Sequence, residues 1–199
     1  MRLPVSGILF GLWFSLLICP LFADTRFYLR DCQIPVPDKG QGTLAVSLQI
    51  TDHLLIKDVD VYLNISHEYV NELVIILESP QRERISLKNF QSTWREKKPH
   101  MHNTIIDDSG ILWEEASPPY STRIRPPAGQ YLSGFNDSLA CGTWNLQIYD
   151  DGYKDSGILE SWGLSIEGTS MPEPCGLFFA GMAFVFSVFK GASRRGRNR

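Results

Sequence analysis

Hydrophobic and polar residues alternate along most of the middle of the chain. The clearest example is the segment 56–65, in which Val59, Val61, Leu63 and Ile65 fall on one side. Alternation with a period of two is the pattern of a β-strand with one buried face. Similar segments occur at 43–50, 73–77, 143–149 and 161–166. These short strands, separated by turn residues, predict an all-β sandwich, whereas the proline-rich segment 91–130 predicts loops.

The two ends of the chain differ from this pattern. Residues 1–23 combine a basic start, an apolar run and a small residue at a cleavage position, which predicts a secretory signal peptide with a helical apolar segment. Residues 175–189 contain no charged side chain and precede an arginine-rich end. A helix of that length spans about 22 Å, less than the ~30 Å core of a bilayer. We expect a short hydrophobic helix there, with its basic end in the cytoplasm.

Charge is distributed unevenly between the body and the ends. Residues 24–171 hold 13 Lys and Arg against 21 Asp and Glu, a net charge of −8, whereas the whole chain has a net charge of −3. An acidic body argues against nucleic-acid binding, which requires clustered basic residues.

The body also holds two cysteines, Cys32 and Cys141. In an oxidising compartment they predict one disulfide, with two free thiols as the alternative.

Several blocks of the body resemble the P domain (P/Homo B domain) of proprotein convertases. The blocks follow the order and spacing of that family over residues 32–168, and they lie at 34–38, 56–61, 64–69, 72–77, 106–108, 132–136, 142–146 and 155–164. Two turns depart from the family pattern, because Asn71-Glu72 replaces the usual Gly-Asp and Arg82-Glu83 replaces the usual Gly-Thr.

The resemblance implies an antiparallel jelly-roll sandwich over residues 24–171. It also implies an accessory module, because P domains accompany subtilisin-like proteases and stabilise or regulate them in cis. A sandwich of about 150 residues leaves no room for the protease domain itself. No nucleophile motif such as Gly-x-Ser-x-Gly is present, and we therefore expect no enzymatic activity. His67 is expected to hydrogen-bond a loop rather than to act as a base.

The segment 172–199 resembles the PEP-CTERM sorting signal of bacterial exosortase substrates. It begins with Pro172, Glu173 and Pro174, continues with the apolar run and ends with the arginines. The resemblance implies that exosortase removes this segment at the inner membrane and that the protein reaches the cell surface or the polysaccharide matrix. The alternative is an ordinary single-span anchor.

Calcium is the most plausible ion, because carboxylates on loops supply the hard oxygen ligands that it prefers. The candidate ligands are Asp107, Asp108, Asp150, Asp151 and Asp155. The alternative for these residues is turn capping through bonds to backbone N–H groups.

Three functions are therefore open. The first is a structural or protein-interaction module sorted to the envelope or matrix, and the second is a stabilising or regulatory partner of a separate subtilisin-like protease. The third is a jelly-roll module that binds carbohydrate of the polysaccharide matrix. A carbohydrate site requires exposed aromatic side chains, and the candidates are Trp94, Trp113, Tyr120 and Tyr131.

Overall fold

The computed structural model describes residues 23–92, 96–155 and 157–171. Residues 1–22 of the predicted signal peptide and the whole predicted sorting tail, including Pro172, Glu173 and Pro174, lie outside the described residues, as do the two helices expected in these segments. No helix within the described residues is both long and apolar enough to cross a membrane.

Nine strands and two short 3-10 helices make up the described part of the chain. The strands are β1 (Ala23–Val36), β2 (Leu44–Ile50), β3 (Leu54–Ser66), β4 (Leu73–Glu78), β5 (Arg84–Lys88), β6 (Met101–Ile111), β7 (Arg123–Ile124), β8 (Gly142–Asp150) and β9 (Gly157–Ser170). The first 3-10 helix covers Val70–Glu72, and the second covers Leu132–Phe135. The predicted all-β fold is confirmed.

The strands form two open sheets. Sheet A has five strands in the order β1-β9-β3-β6-β7, and sheet B has four in the order β2-β8-β4-β5. Neighbouring strands are antiparallel, except that β6 and β7 are parallel. The centre of each sheet consists of strands far apart in sequence, such as β3 with β9. The fold therefore depends on long-range pairing.

The core lies between the sheets and is lined by alternate residues of their strands. Trp144 on β8 and Trp162 on β9 are fully buried, one in each sheet. The indole N–H of Trp144 donates to the carbonyl of Ala140 at 2.9 Å, and its ring meets Phe135 edge-on with centroids 5.1 Å apart. Two large aromatic side chains facing the core supply much of the buried apolar area that stabilises the sandwich.

The predicted disulfide is wrong, because Cys32 and Cys141 are free thiols in this structure. The side chain of Tyr28 donates to Asp52, just after β2, and that of Arg30 donates to the carbonyl of Ser47 within β2, so Cys32, further along β1, lies towards the start of β2. Cys141 directly precedes β8, whose first residue pairs with Ile50 at the end of β2. The two cysteines therefore lie at different levels along the strands, too far apart for the Cα separation that a disulfide requires.

Candidate functional site

Three polar side chains from distant parts of the chain meet at one end of the sandwich. His67 directly follows β3, Asp150 ends β8, and Asp155 lies in the loop between β8 and β9. Their ligand-type atoms all lie within 4.8 Å of one another. The sheets bring them together, because Ser66 at the end of β3 pairs with Ile158 at the start of β9.

His67 is fixed by hydrogen bonds at both ring nitrogens. The backbone N–H of Tyr69 donates to Nδ1 at 3.0 Å, so Nδ1 must be the unprotonated acceptor. The proton therefore lies on Nε2, which is 3.0 Å from Oδ2 of Asp150 and donates to it. The predicted hydrogen-bonding role of His67 is confirmed. In this neutral tautomer the histidine has no second proton to offer a neighbouring group.

Asp155 is the unusual member of the cluster. Its side chain is only 9% exposed, and Oδ2 lies 3.7 Å from Nδ1 of His67. Neither carboxylate oxygen has a hydrogen-bond partner among the described residues. Burial raises the pKa of Asp155; the nearby His67 opposes this shift, and the charges of Asp150 and Asp38 add to it. A buried carboxylate without a partner is costly and requires a compensating group.

The carboxylate of Glu72 lies beside the cluster. Burial and the charges of Asp155 and Asp150 raise its pKa. Its Oε2 occupies the space beside Gly152, where an added Cβ would lie 1.7 Å from that oxygen. Gly157 has a similar role, since a Cβ there would lie 2.4 Å from Cδ2 of His67. The two glycines thus leave the room in which Glu72 and His67 pack.

The predicted aspartates divide between this cluster and other contacts. Asp150 and Asp155 belong to the cluster, whereas Asp151 turns away and forms an ion pair with Lys39 at 2.8 Å. The N–H of Gly152 donates to Oδ1 of Asp150 at 2.8 Å, which is the turn-capping bond that we gave as the alternative.

Asp107 and Asp108 lie within β6 rather than in a loop. Arg123 bridges Asp107 and Asp60. Burial acts against ionisation of Asp107, but bonds from Ser109 and Arg123 hold its pKa below the usual value. Asp108 accepts the backbone N–H groups of residues 132 and 133, at 2.7 and 2.9 Å, and so begins the second 3-10 helix. Both carboxylates therefore have partners of their own.

Two of the three aromatic candidates that the structure describes are buried. Trp113 and Tyr120 are 6% and 3% exposed, so the expectation that they are exposed is wrong. They pack edge-on with centroids 5.6 Å apart, and the Trp113 indole N–H donates to the carbonyl of Leu87 at 3.2 Å. Tyr131 is 60% exposed, as expected. Trp94 lies outside the described residues.

The hydroxyl and imidazole groups of the described residues do not form a catalytic triad. Ser66 Oγ contacts His100 Nδ1 at 3.3 Å, but that nitrogen also accepts the backbone N–H of His67. No carboxylate is hydrogen-bonded to His100 in the described part of the chain. A nucleophile requires a base that a third group orients, and this pair lacks the third group.

An apolar patch lies on the outer face of sheet A, and we call it the β1 patch. It consists of Phe27, Leu29 and Tyr62. Phe27 and Leu29 are 57% and 49% exposed, and the rings of Phe27 and Tyr62 meet edge-on with centroids 5.9 Å apart. Asp58 and Glu167 are paired positions on the neighbouring strands, and both are exposed. The patch thus has an acidic flank.

The family model of the proprotein convertase P-domain matches residues 56–166. This match covers more than half of the chain, and the chain therefore belongs to the proprotein convertase P-domain family. P domains are non-catalytic accessory domains of proteases. The expected family is thus confirmed for the body of the chain. No curated protein matches the chain.

Two solved structures have a similar fold. One is the crystal structure of Aeromonas sobria serine protease in complex with the chaperone ORF2, at 17% identity and a TM-score of 0.52 over 77% of this chain. The other is the serine protease of Aeromonas sobria, at 17% identity and a TM-score of 0.51 over 76% of this chain. The chain spans 28% of each matched chain. At this identity the likeness shows the fold alone.

Proposed function

We propose that this chain is an exported, non-catalytic P-domain module that binds and stabilises a separate subtilisin-like protease. Membership of the P-domain family is the observation that carries the proposal. The similar solved structures support it, because they contain a serine protease and the likeness covers only 28% of the matched chains. A part of that size fits an accessory module beside a larger catalytic unit.

The β1 patch is our candidate for the contact with the protease. Exposed Phe27 and Leu29 lie next to each other on one face, and a contiguous apolar surface of this kind is typical of interaction sites. Asp58 and Glu167 lie opposite each other across two strands, where like charges are unfavourable. Basic groups on a partner would relieve that repulsion. We therefore expect the partner surface to be apolar at its centre and basic at one side.

We further propose that the sandwich has jelly-roll connectivity and that the predicted signal peptide exports the protein. On this proposal the PEP-CTERM-like tail directs the protein to the cell surface or matrix after exosortase processing. The protease partner would then be an exported protein that meets the module outside the cytoplasm. Sorting and protease binding are compatible, since the tail would determine where the protein is located and the sandwich would bind the protease.

The proposal is tested by capture of active serine proteases. The full chain is immobilised and incubated with the secreted proteins of its source organism, and retained proteases are labelled with a fluorophosphonate probe and identified by mass spectrometry. We expect a subtilisin-like protease to be retained, and we expect the added chain to prolong its half-life on heating. The variant carrying Phe27→Ser and Leu29→Ser should retain little of it.

A matched control carries Leu139→Ser and Tyr153→Ser. Both residues are exposed, at 40% and 70%, but they lie in loops outside the sheets. This variant should retain the protease as the unmodified chain does. If no serine protease is retained, or if the two double variants behave alike, the proposal fails. Retention on matrix polysaccharide alone would favour a carbohydrate-binding module instead, with exposed Tyr131 as the first residue to replace.

A further inference from the structure

We propose that the carboxylates of Asp150, Asp155 and Glu72 form a calcium site at the end of the sandwich, with His67 as a positioning residue beside it. The inference does not depend on which protein the module binds. It concerns a set of ligands that sequence proximity does not group, since Glu72 precedes β4, Asp150 ends β8 and Asp155 lies in the loop after β8.

The unpartnered carboxylate of Asp155 is the observation that points to a cation. Its side chain is buried, and both of its oxygens lack a hydrogen-bond partner among the described residues. The nearest ring nitrogen, His67 Nδ1, already accepts the Tyr69 N–H and has no proton for it. Buried charges in proteins are paired or coordinate a metal. A bound cation would supply the positively charged partner that this carboxylate lacks.

The surrounding groups add negative charge rather than neutralise it. Asp150, Glu72 and Asp38 all act on Asp155 or on each other through their charges. The nearby Lys39 is engaged with Asp151 at 2.8 Å. Several carboxylates held close together without a basic partner among them are an arrangement that a divalent cation stabilises.

The state of His67 decides which cation fits. Zinc in proteins is held mainly by cysteine and histidine side chains. The cluster contains no cysteine, and both ring nitrogens of His67 are engaged, one with Tyr69 and one with Asp150. The atoms left for a metal are therefore carboxylate oxygens. Calcium takes six to eight oxygen ligands in a flexible geometry, so three carboxylates and water complete its shell. By donating to Asp150, His67 orients one of the ligands.

Calcium at this position would tie together three segments at the end of the sandwich, one of which is a loop. Glu72 ends the first 3-10 helix, Asp150 ends a strand of sheet B, and Asp155 lies in the loop that leads into sheet A. Binding to the folded state alone raises its stability in proportion to the logarithm of the calcium concentration. We therefore expect a calcium-dependent rise in thermal stability rather than a change of fold.

The test measures the melting temperature and calcium affinity of the full chain in mild detergent, after removal of metal with a chelator. Calcium should raise the melting temperature by roughly 5–10 °C once it exceeds its Kd about a hundredfold. Titration calorimetry should show Asp155→Asn binding calcium roughly tenfold or more weakly than the unmodified chain. In chelator, Asp155→Asn should be at least as stable as the unmodified chain, because it removes an unpaired buried charge.

The matched control is Asp151→Asn, which makes the same change of charge on the same turn but at a side chain paired with Lys39. Its calcium affinity should equal that of the unmodified chain. The proposal is overturned if calcium leaves the melting temperature unchanged, if zinc raises it and calcium does not, or if both variants lose affinity equally. A variant Asp155→Asn that is destabilised to the same extent with and without calcium would show a purely structural role and would also overturn it.

Discussion

His67 and Asp150 form a hydrogen bond that joins the two sheets of the sandwich. Nε2 lies 3.0 Å from Oδ2, and both side chains are fully buried. His67 follows β3 of sheet A, whereas Asp150 ends β8 of sheet B. A polar contact between layers that otherwise meet through apolar side chains sets how the sheets align at this end.

Replacement of His67 should therefore destabilise the fold. In His67→Ala, buried Asp150 would lose the donor to one of its oxygens while its charge remains, and we expect a loss of about 2–4 kcal/mol in the free energy of unfolding. Urea denaturation followed by tryptophan fluorescence measures this loss. His53→Ala, at an exposed position, is the control and should change stability by less than about 0.5 kcal/mol. A loss below about 1 kcal/mol in His67→Ala would contradict the assigned role.

Lys88 is a second buried polar group with an unusual environment. Its Nζ donates to the carbonyls of Leu73 and Asn89 at 3.1 and 3.0 Å and lies 5.3 Å from the centroid of the Trp113 ring. Burial lowers the pKa of Lys88 to about 7; the charge of Lys98 adds to this shift, and Glu114 opposes it. The side chain thus titrates near neutral pH in the folded protein.

The lowered pKa of Lys88 makes stability depend on pH in one direction. Between about pH 7 and about pH 10, the unfolded chain keeps the proton of Lys88 and the folded protein releases it, so stability rises with pH. Relative to Lys88→Met, the free energy of unfolding of the unmodified chain should rise by roughly 1 kcal/mol per pH unit in this window. Urea denaturation between about pH 7 and about pH 9.5, inside this window, measures the difference.

The exposed Lys57 provides the control for this pH dependence. Lys57→Met should follow the unmodified chain at each pH, because folding leaves the Lys57 side chain in water. Parallel curves for the unmodified chain and Lys88→Met would show that the Lys88 ammonium stays charged in the folded protein, and the prediction would then be wrong.

The sequence was sufficient to predict the strands that are buried on one face. In β3, Val59, Val61 and Leu63 alternate with more exposed residues, so the period of two is visible. β1 lies at the edge of sheet A, and most of its residues are at least partly exposed. The alternation of apolar and polar residues in β1 is therefore weak, and the sequence does not predict this strand. β6 was also missed, because Asp107 and Asp108 interrupt its apolar residues and find their partners only in the folded chain.

The candidate site was predictable only in part, for a similar reason. Asp150 and Asp155 occupy one turn, so their spacing alone suggested a common site. The hydrogen bond between His67 and Asp150 joins residues 83 positions apart. The position of Glu72 beside Gly152 depends on the pairing of β4 with β8, in which Leu73 lies opposite Asp150. Such proximity follows from strand register, which local patterns do not contain. At Glu72 the sequence shows one departure from the P-domain pattern, because Asn71-Glu72 replaces the usual Gly-Asp before β4. That departure concerns the geometry of a turn and does not indicate a metal ligand.

Free thiols at Cys32 and Cys141 lead to a redox prediction. A disulfide between them would close a loop of about 110 residues and would contribute roughly 4–5 kcal/mol to stability. Since the structure separates the two residues, dithiothreitol should shift the melting temperature by less than about 2 °C. Cys32→Ser, which removes one of the two thiols of the expected disulfide, should have the same melting temperature as the unmodified chain. A fall of about 10 °C in reductant, reproduced by Cys32→Ser, would contradict the structure and restore the disulfide.

Gly152 provides an independent way to disturb the proposed calcium site without removing a ligand. In Gly152→Ala, the new Cβ would lie 1.7 Å from Oε2 of Glu72, so that carboxylate must move. Because a glutamate side chain is flexible, stability in chelator should change by less than about 1 kcal/mol. Calcium affinity should fall roughly tenfold, as in Glu72→Gln. The double variant, which carries Gly152→Ala and Glu72→Gln, should bind calcium no more weakly than either single variant.

Titration calorimetry on these three variants tests the prediction. If the losses of calcium affinity in the two single variants add up in the double variant, Gly152→Ala acts on Asp150 instead, whose Oδ1 lies 3.3 Å from the same Cβ position. Unchanged calcium affinity in Gly152→Ala would exclude Glu72 as a ligand.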